Sequence, residues 1–143
     1  AEGLGDKITE IDDFVWNNIL IVKPEFSIST AYVYQNTAPG YYNSYASNDI
    51  LKYISSHNYE NAARCVSNTM ERVVEKFHPE INDIKKLMID NGAVSSIMTG
   101  SGSAVFALFK DNDSLNKAYL IAKKIYPSTF KSKTCKYGVK FID

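Results

Sequence analysis

The sequence predicts an α+β fold. Strand-like apolar runs occur near the start and in the last third of the chain, and a group of amphipathic helical segments lies between them. A short Gly–Ser turn joins two of the apolar runs as a hairpin would. Helices segregated from a sheet built partly of hairpins indicate α+β and not a doubly wound parallel sheet. The 143 residues fit one domain with a core of its own.

Along the chain, Lys7-Ile8-Thr9-Glu10-Ile11 alternates and reads as a half-buried strand. Asn18 to Val22 is a continuous apolar run with β-branched residues, read as a buried strand that Lys23-Pro24 ends. Ser29 is an N-cap candidate for a helix through Ala31-Tyr32-Val33-Tyr34, because its hydroxyl can accept from a free N–H of the first turn. Residues 36–47, rich in Asn, Ser, Gly, Pro and Tyr, read as a loop. Asn48 is then expected to cap a short helix carrying Ile50, Leu51 and Ile54.

A longer helix is expected from Asn58 or Tyr59. Ala62, Val66, Met70, Val73 and Phe77 recur every three or four residues and share one face. Arg64, Asn68, Glu71, Arg72 and Glu75 fall on the other faces and read as solvated surface. Pro79 suits the first turn of the next helix, Ile81, Ile84, Leu87 and Met88 form its buried stripe, and Gly92 suits its C-terminal end. Strands over 94–99 and 104–109 frame the Gly–Ser turn. Asp111 to Ser114 makes a turn that caps a last helix, with Leu115, Ala118, Ala122 and Ile125 facing inward and Pro127 as its stop. The alternation Cys135-Lys136-Tyr137-Gly138-Val139-Lys140-Phe141 reads as a final strand. From strand 94–99 onward, this order resembles half of a ferredoxin-like sheet covered on one face by helices.

Bulk properties exclude some functions. Lys and Arg total 16, as do Asp and Glu, which removes the electrostatic case for nonspecific nucleic-acid binding or for an anionic membrane surface. No apolar stretch approaches the roughly 18 residues that span a bilayer. Cys65 and Cys135 are far apart and form no C-x-x-C unit, so they read as free buried thiols in a reducing cytosol in preference to a disulfide. His57 and His78 lack metal-ligand spacing with them, and no metal site is assigned.

The chemistry concentrates in Met98-Thr99-Gly100-Ser101-Gly102-Ser103-Ala104-Val105-Phe106. Gly100 and Gly102 let the backbone turn sharply and approach a ligand closely. The N–H groups of such a turn can converge on an anion. A Gly-rich β-turn that binds nothing has the same composition, and both readings stay open on the loop alone.

With Ala107-Leu108-Phe109 added, this segment resembles the C-terminal glycine-rich motif of the GHMP kinases, which include galactokinase, homoserine kinase and mevalonate kinase. Three more segments are similar to the diphosphocytidyl-methylerythritol kinase family within that superfamily. Ala1-Glu2-Gly3-Leu4-Gly5-Asp6-Lys7-Ile8-Thr9 resembles its Gly-x-Gly-Glu linker, with Asp6 where Glu is usual. Val22 to Tyr34 resembles its Pro-x-x-x-x-Ser-Thr-x-x-Val-Tyr segment, and Phe77-His78-Pro79-Glu80-Ile81 its aromatic-x-Pro-Glu-Val.

The resemblance implies an ATP-dependent kinase acting on the 2-hydroxyl of 4-diphosphocytidyl-2-C-methyl-D-erythritol, in the non-mevalonate route to isoprenoids. It implies that residues 1–13 are an inter-domain linker and first strand, and that 14–143 are the C-terminal, substrate-side domain. The family's phosphate loop and its N-terminal catalytic Lys and Asp have no matching positions here. The expected partner is therefore an N-terminal kinase domain that holds ATP and Mg2+, the fragment alone being inactive. Gly100, Ser101, Gly102 and Ser103 are expected to position substrate or phosphate, and Ser29 and Thr30 to lie on the substrate side unless they simply cap a helix. Asp111 and Asp113 read as turn and cap residues. Another GHMP kinase, of homoserine or mevalonate type, and a non-catalytic α+β ligand-binding module are the alternatives.

Overall fold

The computed structural model describes residues 6–11, 13–37 and 45–136. Its elements run β1 (Ile19–Val22), α1 (Thr30–Asn36), α2 (Tyr45–Ser55), α3 (Tyr59–Arg64), α4 (Glu71–Phe77), α5 (Glu80–Asp90), β2 (Ala93–Met98), β3 (Val105–Phe109), α6 (Asn112–Ile125) and β4 (Thr129–Ser132). The strands form one sheet in the order β2-β3-β1-β4, with every neighbouring pair antiparallel. Strands β1 and β2 both run against β3, so they are parallel to each other with β3 between them. That is the ferredoxin-like arrangement, with α1 to α5 in the first crossover and α6 in the second.

Alternation in β1 decides which face is covered. Leu20 and Val22 are fully buried, while Ile19 and Ile21 are only partly so. Leu20 pairs with Ala107 and Val22 with Val105, which puts these four on the face where Ile81, Ile84, Met88, Leu115, Ala118 and Ala122 join one core. Helix α5 lies over β2 and β3, and α6 over β1 and β4. Asp111 caps α6 as expected, its carboxylate accepting from Ser114 N at 2.8 Å, and this hydrogen bond holds its pKa below the usual carboxylate range. Ser29 caps α1, Asn58 caps α3, and Gly92 follows the C-cap of α5.

Several expectations are corrected. Residues 8–11 form no strand, and Ile8 and Ile11 are exposed: their alternation has no apolar layer to face. Helix α2 starts at Tyr45, so Asn48 lies inside it and does not cap it. The long helix is two helices, α3 and α4, broken at 65–70 where Ser67, Asn68 and Thr69 favour side-chain-to-backbone bonds over helix. Phe77 and Ile125, assigned to buried stripes, are exposed at helix ends. The cysteines form no disulfide, but neither is fully buried: Cys65, at the C-cap of α3, is half-buried, and Cys135, beyond β4, is exposed. The last strand described is Thr129–Ser132, paired with β1, and Cys135 and Lys136 are not strand. The rest of the expected final strand, 137–141, lies outside the described residues, as do residues 1–5 of the expected linker.

Candidate functional site

The glycine-rich loop is the hairpin connection between β2 and β3, at the end of the sheet where β1 also finishes. Thr99 N donates to Ala104 O and Gly102 N to Thr99 O, both at 2.8 Å, which closes the turn. Gly100 has φ +49° and Gly102 φ +88°, and the Gly102–Ser103 peptide is cis. A Cβ at Gly102 would sit 2.7 Å from Met98 Sδ and 2.8 Å from Ile28 Cδ1, so the absent side chain is what lets the loop lie against the segment after β1.

That segment is fixed by its own bonds. Lys23 folds back, its ammonium donating to Pro24 O at 2.6 Å and Phe26 O at 2.8 Å. Phe26 stacks on His78 with ring centroids 4.4 Å apart. The Ser103 hydroxyl, 1% exposed, donates to Phe26 O at 2.7 Å and ties loop to segment. At the surface, the Thr30 and Ser101 hydroxyls share a second bond of 2.8 Å. Ser29 spends its oxygen on the α1 cap, accepting from Tyr32 N at 3.4 Å. The structure thus brings Gly100, Ser101, Gly102, Ser103 and Thr30 together, and places Ser29 beside them with its side chain committed to the helix.

The third wall was not read from the sequence. Asn68 Nδ2 donates to Met98 O and to Gly100 O, each at 2.8 Å, and Glu71 Oε1 accepts from Met98 N at 2.6 Å. Glu71 Oε2 accepts from Lys85 Nζ at 3.0 Å, and Lys85 also reaches Glu75 at 2.8 Å. Partial burial works against the Lys85 ammonium, but Glu75 and Glu71 outweigh it and hold its pKa above the usual lysine value. These residues are therefore a bracing network and not the solvated face their spacing suggests. The Asn68-x-x-Glu71 pattern of a helix start was the available signal.

The carbonyls of Met98, Thr99 and Gly100 are all engaged within the protein. The N–H groups of Gly100 and Ser101 have no hydrogen-bond partner among the described residues. Such a turn presents donors outward, where an anionic or oxygen-rich ligand can meet them. Beside it lies an open groove of about 340 Å³, lined by Ile50, Val66, Ile97 and Phe106 together with Asn68 and Thr99. Among the described residues no group of three or more His, Cys, Asp or Glu could hold a metal ion, and no helix is long and apolar enough to cross a membrane.

Other proteins resemble this chain in sequence and in fold. Residues 50–128 match the family described as GHMP kinases C terminal. A relative from Caldanaerobacter subterraneus subsp. tengcongensis, named 4-diphosphocytidyl-2-C-methyl-D-erythritol kinase, is 35% identical over 143 residues, covering 99% of this chain and 50% of the relative. A relative of the same name from Acetivibrio thermocellus is 38% identical over 120 residues, covering 83% of this chain and 42% of the relative. A crystal structure of 4-(cytidine 5'-diphospho)-2C-methyl-D-erythritol kinase superposes with a TM-score of 0.74 at 20% identity, covering 93% of this chain and 48% of that one, a likeness of fold. The chain spans about half the length of the curated relatives it matches. The match takes in the glycine-rich hairpin and more than half of the chain, and the chain belongs to the GHMP kinase C-terminal family.

Proposed function

We propose that this chain is the substrate-side half of an ATP-dependent kinase that phosphorylates the 2-hydroxyl of 4-diphosphocytidyl-2-C-methyl-D-erythritol. The observation that carries the proposal is the loop itself: a hairpin whose Met98, Thr99 and Gly100 carbonyls are engaged in bonds and whose Gly100 and Ser101 N–H groups have no partner among the described residues. Phosphoryl transfer depends on positioning and charge stabilisation, and fixed N–H donors supply both without reorganising. The names of the relatives support this substrate over homoserine or mevalonate.

In this reading, the Gly100–Ser103 loop forms one wall of the cleft. Gly100 and Ser101 donate to the acceptor or to the transferring phosphate. Ser103 holds the loop from inside, and Thr30 fixes the Ser101 hydroxyl at the rim. The described residues fit an oxygen-rich ligand but offer no acidic cluster for Mg2+. In this reading ATP, Mg2+ and the catalytic base belong to an N-terminal kinase domain, joined through residues 1–13, in a cytoplasmic enzyme; the relatives, about twice the length of this chain, support a second domain.

The test is a direct assay. The protein with its N-terminal half should consume ATP with diphosphocytidyl-methylerythritol and not with homoserine or mevalonate, while residues 1–143 alone show no turnover. Turnover by the isolated chain, or a preference for another alcohol, would overturn the reading. Saturable binding of the candidate ligands to the isolated chain, by calorimetry, would favour a free-standing binding module instead.

A further inference from the structure

We infer that Asn68 and Glu71 are positioning residues that hold the glycine-rich loop in the shape phosphoryl transfer requires, an inference that rests on the kinase reading above. Between them, these two side chains grip the Met98 peptide units on both sides. Glu71 takes the N–H of Met98 and Asn68 takes its carbonyl, and the second N–H of the Asn68 amide takes the carbonyl of Gly100.

The chemistry suits the residue types. An amide nitrogen offers two donors at once, and the Asn68 Oδ1 remains to accept from Met70 N at 2.9 Å, which locks the side chain to the start of α4. A carboxylate at 71 can accept on both oxygens, one from Met98 and one from Lys85 on the neighbouring helix. Neither side chain needs to touch a ligand. Their effect is to commit the carbonyls at Met98 and Gly100, on either side of Thr99, while the N–H groups of Gly100 and Ser101 stay without a partner among the described residues. Misplacement of catalytic groups by about 1 Å costs up to roughly 100-fold in rate. Loss of either grip is therefore a loss of kcat more than of binding.

The experiment uses the full-length enzyme, at a temperature where circular dichroism shows each variant folded. Asn68→Asp, which keeps the shape and the acceptor but loses both donors, and Asn68→Ala should each lower kcat about 10- to 100-fold, with KM for the acceptor changed less than about threefold. Asn91→Ala is the control for a merely structural loss: it removes a side-chain bond of 2.8 Å to Leu87 O, at the other end of β2 from the loop, and should lower Tm while kcat stays at the wild-type value. Glu71→Gln, which keeps an acceptor for Met98 N, should retain at least about tenfold more kcat than Glu71→Leu. Wild-type kcat in Asn68→Asp, a fall that Asn91→Ala shares, or equal rates in the two Glu71 variants would overturn the inference. The amide NMR resonances of Gly100 and Gly102 give a readout independent of turnover. Both should move in Asn68→Asp, and unmoved resonances would overturn the positioning role. A wild-type enzyme without kinase activity would instead overturn the proposed function.

Discussion

The hydroxyl oxygens of Thr30 and Ser101 lie 2.8 Å apart although 71 positions separate them in sequence. One begins the helix after β1 and the other sits in the turn after β2, so the bond fastens the two parallel strand ends at the cleft rim. Removing either hydroxyl loses the same bond. Thr30→Val and Ser101→Ala should thus be non-additive, with a coupling of about 0.5–1 kcal/mol in urea unfolding. Additive losses would mean that the bond carries no stability.

The two loop glycines should differ. Gly102→Ala combines a left-handed φ with contacts under 3 Å to Met98 and Ile28, and should destabilise by about 1–3 kcal/mol. Gly100→Ala meets nothing within 4 Å and bears only the conformational cost, about 1 kcal/mol. Thermal unfolding of both variants checks the ranking, and equal losses would contradict it.

Ser103→Ala removes a buried hydroxyl from Phe26 O, but Lys23 still donates to that carbonyl. The single change should cost only about 1 kcal/mol, because the carbonyl is not left bare. Adding Lys23→Met should then cost more than the sum of the two single changes, measured by denaturant titration.

Lys85 sets a stability dependence at high pH. Its pKa is raised on folding, through Glu75 and Glu71 acting against partial burial, so the folded state holds its proton more tightly than the unfolded chain does. That stability is fully present below the ordinary lysine pKa and fades as pH rises through the elevated folded value. A Lys85→Met variant should be less stable at neutral pH and should show a flatter loss of Tm above pH 10 than the parent. A parallel alkaline decline in both proteins would rule the pair out as its source.

Local patterns made most of this fold readable. The caps at Ser29, Asn58 and Asp111, the stripe of Ile81, Ile84 and Met88, and the hairpin around Gly100 and Gly102 are each decided by residues a few positions apart. Strand β4 was missed because its four residues are too short and too polar to alternate, and only pairing with β1 defines it. The candidate site was legible on its loop side. Asn68 and Glu71 were misread because a heptad-like run of apolar residues crossed the helix break, and for bonds over about 30 positions the Asn68-x-x-Glu71 spacing marks a helix start without saying what it reaches.

Trp16 and Thr134 exchange backbone and hydroxyl bonds at 2.8–2.9 Å, which pins the entry to β1 beside the exit from β4. The glycine-rich loop lies at the other end of those strands, since Ile19 pairs with Ser132 while Val22 pairs with Val105. The sheet is therefore tied at both ends, by the Trp16–Thr134 bonds at one and by the Thr30–Ser101 and Ser103–Phe26 bonds at the other. At about 3.3 Å per residue the stretch from Trp16 to Val22 spans roughly 20 Å. Strand β1, paired on both sides by β3 and β4, runs between the two ties and sets the distance at which the loop is held from the far end of the sheet.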